Sequence, residues 1–172
     1  MDSCPTRSPL VVADHLIEHS RGKVVYEIGT RNGDILDCVS RFSAAAYCAE
    51  IDEGYCEVLR HRNLTVFCSD FMKQNLTELP RVPHVFFWWP MRAMKQNESW
   101  LLHLRQQFKV YASVGQMKAI IAFDHQWRED MVNKAYMLSK YPEAVEFVVS
   151  FNEGLGRREC GKFSLVHFPL LA

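Results

Sequence analysis

The stretch Lys23-Val-Val-Tyr-Glu-Ile-Gly29-Thr-Arg-Asn-Gly33-Asp34 decides how the rest of the chain is read. A short apolar run closed by glycine reads as a buried strand, and the residues from Gly33 onward suit a helix. Glycines at such a turn take dihedrals closed to other residues and let a ligand approach the backbone. The free amides at the helix start favour an anion or a polar ligand edge. A dinucleotide loop needs Gly-x-Gly-x-x-Gly here, but Arg31 stands where the middle glycine belongs. No Gly-Lys-Ser/Thr follows, so the turn is not a phosphate-binding loop either.

Working outward, residues 8–19 form an amphipathic helix with Ser8 as cap and Pro9 in the first turn. After the strand at 23–29 come a helix over 33–42, a strand over 44–52, a helix over 53–62 and a strand over 64–70. His84-Val-Phe-Phe-Trp-Trp89 is a fourth strand closed by Pro90, followed by a helix over 96–110. A fifth strand, 117–124, precedes a helix over 128–140. These strands are apolar on both faces, as a parallel sheet covered on each side requires. Segments 145–152 and 162–168 instead alternate around Glu153-Gly-Leu-Gly-Arg-Arg158, which predicts an antiparallel β-hairpin. With no Pro/Ser linker, repeat or low-complexity segment, one domain spans 1–172. Its residues 1–22 carry the helix that covers the sheet or the ligand crevice.

In open α/β sheets, ligands bind outside the carboxyl ends of the strands. Glu27 lies at the end of the first strand, Glu50 at the end of the second, and Asp70 at the end of the third. Glu50 follows Gly29 by 21 residues, where an acid accepts from ribose hydroxyls. Three consecutive strand ends thus offer an acid to one crevice, although each alone could be a cap or a solvated side chain.

Glu27-Ile-Gly-Thr-Arg-Asn-Gly33, Ala49-Glu-Ile-Asp-Glu-Gly-Tyr55 and Cys68-Ser-Asp-Phe71 resemble the first three motifs of class I S-adenosylmethionine-dependent methyltransferases. The resemblance covers nearly the whole chain. It implies a doubly wound α/β fold: a mostly parallel seven-stranded sheet of order 3-2-1-4-5-7-6 with a C-terminal antiparallel β-hairpin. It also implies methyl transfer with S-adenosyl-L-methionine as cofactor. The residues matching Glu27, Gly29, Thr30, Arg31 and Gly33 would cradle the methionine part, and Glu50 with Ile51 would hold the ribose. Asp70 and Phe71 would border the adenine, with Phe87 and Trp88 as an aromatic wall against which planar ligands stack. Packing between sheet and helix is the competing reading for either tryptophan.

Glu50-Ile-Asp52 and Ser69-Asp-Phe-Met-Lys73 are also similar to ribosomal RNA adenine dimethyltransferases. Strand four, however, ends Trp88-Trp89-Pro90 rather than in the Asn/Asp-Pro-Pro-Tyr/Phe that orients an amine in such enzymes, and no additional helical domain fits. The end of strand five, Asp124-His125-Gln-Trp127, is similar to small-molecule methyltransferases, as is Gly154-Leu-Gly156. Asp124 and His125 are therefore the expected catalytic pair, His125 as general base and Asp124 orienting it or holding the acceptor. With tryptophan at the second acidic position, one carboxylate is a thin site for magnesium, and no metal is expected.

Lysine plus arginine and aspartate plus glutamate number 20 each, so no global field attracts a polyanion and nucleic acid is not indicated. A small-molecule hydroxyl or amine is the expected acceptor. At 48% hydrophobic and 23% charged, the composition excludes disorder, collagen and low-complexity architectures. Cysteines 4, 38, 48, 56, 68 and 160 form no Cys-x-x-Cys, and reduced thiols in a cytoplasmic, membrane-free protein are expected. Glycosylation-type triplets begin at Asn63, Asn75 and Asn97 with no signal peptide before them. His15-Leu-Ile-Glu-His19 matches a zinc-protease pattern, but lacks a third ligand and reads as chance. Two other functions stay open: a methyltransferase-like domain that binds without catalysing, and a nicotinamide-dependent oxidoreductase, which the glycine spacing disfavours.

Overall fold

A computed structural model describes residues 9–62, 64–114, 116–152 and 159–170. The strands are β1 (Val24–Ile28), β2 (Ala45–Glu50), β3 (Thr65–Cys68), β4 (Val85–Trp88), β5 (Lys118–Asp124), β6 (Val145–Asn152) and β7 (Glu159–Pro169). Between them run α1 (Pro9–Ser20), α2 (Asp34–Ser40), α3 (Glu53–His61), α4 (Met94–Phe108) and α5 (Arg128–Lys140). The seven strands form one sheet of order β3-β2-β1-β4-β5-β7-β6, parallel through β5 and antiparallel at β7 and β6, which is the expected topology. The expected cap at Ser8, the hairpin turn with Gly154-Leu-Gly156, and Asn63 fall outside the described residues.

The sheet is a partition between two cores because neighbouring residues of each strand face opposite sides. Tyr26, Phe86, Trp88, Ile121 and Phe168 pack with Trp100, Leu104 and Phe108 of α4 and Met137 of α5. Val25, Phe87, Ile120 and Leu165 pack with Val12 and Leu16 of α1, Leu36 and Val39 of α2, and Leu59 of α3. All five residues of β1 are buried, including Glu27, as expected of a central strand covered on both faces. α1 lies on the sheet.

The chain departs from the expectation of reduced cysteines at one pair. α3 packs beside β3, which brings the Cα atoms of Cys56 and Cys68 to 5.9 Å, and the two form a disulfide. Cys38 and Cys48 are free thiols.

Candidate functional site

A cavity of about 470 Å³ opens at the carboxyl ends of β1, β4 and β5. That is within the usual range for small-molecule sites, roughly 300–1,000 Å³. The β1 end and the start of α2 supply one wall, from Glu27 to Ile35. Trp89, Pro90, Met91 and Arg92 after β4 supply a second; Asp124, Trp127, Glu129 and Asp130 a third; Phe163 of β7 closes the floor.

The turn after β1 is held in an unusual shape. Gly29, Arg31 and Gly33 all have positive φ, at 72°, 52° and 75°. Gly33 has no room for a side chain, since a Cβ there would lie 2.5 Å from Leu59 Cδ2. At Gly29 a Cβ would meet nothing within 4 Å, so that side of the turn is open. Arg31, a non-glycine residue in this region, is held by its own backbone N–H, which donates to Glu50 Oε2 at 2.8 Å.

Glu27 is 3% exposed, and its Oε2 has no hydrogen-bond partner. Burial pushes its pKa up to about 8, with the carboxylates of Asp34 and Glu50 adding to the rise. An orphaned carboxyl oxygen at a cavity wall is costly unless a cation or donor completes it. Around it, the lining carries Glu27, Asp34, Asp124, Glu129 and Asp130 against Arg31 and Arg92. Asp34 is paired outward with Arg62 at 2.8 Å.

Asp124 is 5% exposed and lines the cavity. Its Oδ1 accepts from the Gln126 N–H at 2.9 Å, and its own N–H donates to Asp130 Oδ2 at 3.0 Å. These bonds fix the turn after β5 and start α5 beside the cavity.

The structure therefore brings together Glu27, Gly29, Thr30, Arg31, Gly33 and Asp124. The other expected site residues are elsewhere, each for a physical reason. Glu50 does not line the cavity. Its Oε1 accepts from Ile51 and Asp52 N–H at 2.8 and 3.0 Å while Oε2 takes the N–H of Arg31, so the carboxylate ties the ends of β1 and β2 together. Ile51 is 76% exposed beside it. Asp70 caps the helical turn at Phe71–Lys73, accepting from Met72 N–H, and Phe71 is buried edge-on to Trp100. Phe87 and Trp88 are fully buried on opposite faces of β4, and Trp88 Nε1 donates to Asn97 Oδ1 at 3.3 Å. β4 ends at Trp88, so Trp89 is the aromatic that reaches the cavity, edge-on to Phe163 at 5.8 Å.

The turn after β5 carries His125 away from the cavity, where its Nε2 lies 2.6 Å from Ser164 Oγ. Ser164 donates its single proton to Glu146 Oε1, so the contact with His125 uses the ring N–H as donor. Burial and the ammonium groups of Lys134 and Lys162 hold its pKa below the usual histidine value.

Asn97, marked in the sequence only by a glycosylation-type triplet, and Asn133, unmarked, pin the loop after β4. Asn97 Oδ1 accepts from Met91 N–H and its Nδ2 donates to Met91 O, each at 2.9 Å, and Asn133 Nδ2 donates to the same carbonyl. Both are buried, and these bonds, with the one from Trp88 Nε1 to Asn97, satisfy their polar amides there.

No family model matches the chain, and no curated protein matches it in sequence. Solved structures share its fold: it is the class I S-adenosylmethionine-dependent methyltransferase fold. The precorrin-6y C5,15-methyltransferase of Geobacter metallireducens superposes with a TM-score of 0.62 at 14% identity, covering 98% of this chain and 95% of that one. The N-methyltransferase NodS of Bradyrhizobium japonicum gives 0.65 at 9% identity over the full length of both. An rRNA methylase from Streptococcus thermophilus gives 0.58 at 10% identity, covering 99% and 100%. Among the described residues no helix is long and apolar enough to cross a membrane.

Proposed function

We propose that the chain transfers a methyl group from S-adenosylmethionine to a small-molecule amine, and that residues 1–172 act as one domain. The carrying observation is the acid-rich cavity with the unpartnered Oε2 of buried Glu27 in its wall. A cation beside that oxygen would complete it and let the carboxylate ionise. The cofactor's methionine end carries such an ammonium, and the open side of Gly29 leaves room for it. When bound, the cofactor supplies a methyl group already activated on sulfur.

The chain's own task is then alignment and one proton. Trp89 and Phe163 give an aromatic wall against which the acceptor rests. Asp124, fixed by its bonds to Gln126 and Asp130, would hold the acceptor ammonium and take one proton from it, which frees the nitrogen lone pair to form the new C–N bond as the methyl–sulfur bond of the cofactor breaks. The surplus of carboxylates favours a cationic amine over a hydroxyl and disfavours a polyanion such as RNA.

Titration calorimetry with S-adenosylmethionine, with NAD as the competing ligand, tests the cofactor. Labelled methyl transfer into amine and alcohol panels tests the acceptor. One adenosyl site with label in amines supports the reading, while NAD binding alone overturns it. Binding with no label in any acceptor supports the non-catalytic alternative. That alternative draws on Trp88-Trp89-Pro90 at the end of β4, where no polar side chain orients an acceptor.

A further inference from the structure

The His15-Leu-Ile-Glu-His19 pattern finds a third partner in the fold. α1 lies across the sheet so that His15 and His19, one turn apart, face His167 of β7. His15 Nε2 is 2.8 Å from His167 Nε2. The ring of His19 lies 4.3 Å from that of His15 and 4.7 Å from that of His167, centroid to centroid. One ligand nitrogen from each ring lies within 4.8 Å of the others. We propose that His15, His19 and His167 form a Zn²⁺ site, with a fourth position left for water.

The geometry is close to what the ion needs. Zinc–nitrogen bonds of about 2.0–2.1 Å in a tetrahedron put ligand nitrogens about 3.3 Å apart. The His15–His167 separation of 2.8 Å is shorter than that, and no separation among the three exceeds 4.8 Å, so ring rotations can bring the nitrogens to it. Phe147 packs against all three rings, with centroids 5.1, 5.1 and 4.5 Å away, and limits their freedom. Imidazoles bind metal only when neutral, and burial holds those of His15 and His167 well below the usual histidine pKa. Glu18 next to His19 favours a cation, while Lys23 and Lys118 oppose one.

Lys118 is the group to watch. Its Nζ lies 3.5 Å from His167 Nδ1. With metal on Nε2, Nδ1 must carry the ring proton, so the ammonium has to turn away. The site is also remote from the cavity. His167 pairs with Ile120 within β5, whereas Asp124 stands at the carboxyl end of that strand, where it and not His167 lines the cavity. The ion would therefore tie α1 to β7 rather than take part in methyl transfer.

The test titrates the full chain, stripped with a chelator, with Co²⁺ and then Zn²⁺. One Co²⁺ per chain should give the visible bands of four-coordinate cobalt without a thiolate charge-transfer band. Zn²⁺ should displace it and raise Tm. His19→Asn, at the half-buried position, should leave the metal-free Tm unchanged and weaken Zn²⁺ at least about a hundredfold, since even outer partners of a ligand cost about 10–100-fold. Lys118→Gln should tighten Zn²⁺ severalfold. The proposal fails if no stoichiometric metal binds, if His19→Asn binds as well as wild type, or if the cobalt spectrum is that of thiolates.

Discussion

Replacing Glu27 by glutamine tests the electrostatic core of the site. The carboxyl is 3% exposed, with one oxygen unpartnered and a pKa raised from 4.5 to about 8, chiefly by burial. The folded protein thus holds this proton more tightly than the unfolded chain does. The resulting stability is fully present below pH 4.5 and is lost as pH rises through about 8, by at most about 1.4 kcal/mol per pH unit. A ligand ammonium beside the free oxygen selects the ionised form, so binding expels the proton. Ionised Glu27 is about 1% of the total at pH 6 and about a quarter at pH 7.5, so apparent affinity for S-adenosylmethionine should rise roughly 25-fold between them. Calorimetry in two buffers of different ionisation heat reads both the affinity and the released proton. In Glu27→Gln the part of the pH slope of stability that Glu27 supplies and the pH slope of affinity should vanish, with affinity at pH 7.5 weakened about tenfold or more. A wild-type Kd that does not change between pH 6 and 7.5, or an unchanged slope in the variant, refutes the assignment.

Gly33→Ala should cost about 2–4 kcal/mol by urea denaturation, because φ is 75° and the added methyl would lie 2.5 Å from Leu59. Gly29→Ala should cost only about 1–2 kcal/mol for its φ of 72°, yet abolish cofactor binding by calorimetry, since its methyl enters open cavity. Glu50→Gln should lower stability by roughly 1–3 kcal/mol, read as a shift in the urea midpoint, because the amide's single oxygen cannot accept all three backbone N–H groups and its NH2 would face one of them. Asp124→Asn should lower turnover by about 10² or more with the Kd for cofactor nearly intact, while His125→Asn, facing Ser164, should leave turnover within about twofold.

Strands and helices were legible because each apolar run is short, two-faced and closed by glycine, proline or an acid. The helix over 128–140 and the strand over 145–152 agree with the structure at both ends. The turn from Glu27 to Gly33 and the end of β5 at Asp124 were legible for the same reason, since a buried parallel strand can release a polar residue only at its end. Contacts made by irregular backbone were not. That Glu50 also receives the N–H of Arg31 follows from the positive φ of that residue, which no residue pattern shows. Trp88 and Trp89 are equivalent as letters, and only the point where β4 stops turns one into the core and the other to the cavity. The histidine cluster depends on a residue 152 positions away in sequence, beyond the reach of any local pattern.

The most direct measurement is a crystal structure of the protein grown with S-adenosylhomocysteine. The ligand should occupy the cavity between β1, β4 and β5. Its ammonium should lie within hydrogen-bond distance of Glu27, its backbone should run along the open side of Gly29, and its sulfur should point toward Asp124 and Trp89. A ligand bound elsewhere, or a cavity that stays free of it at saturating concentration, would rule out this cavity as the cofactor site.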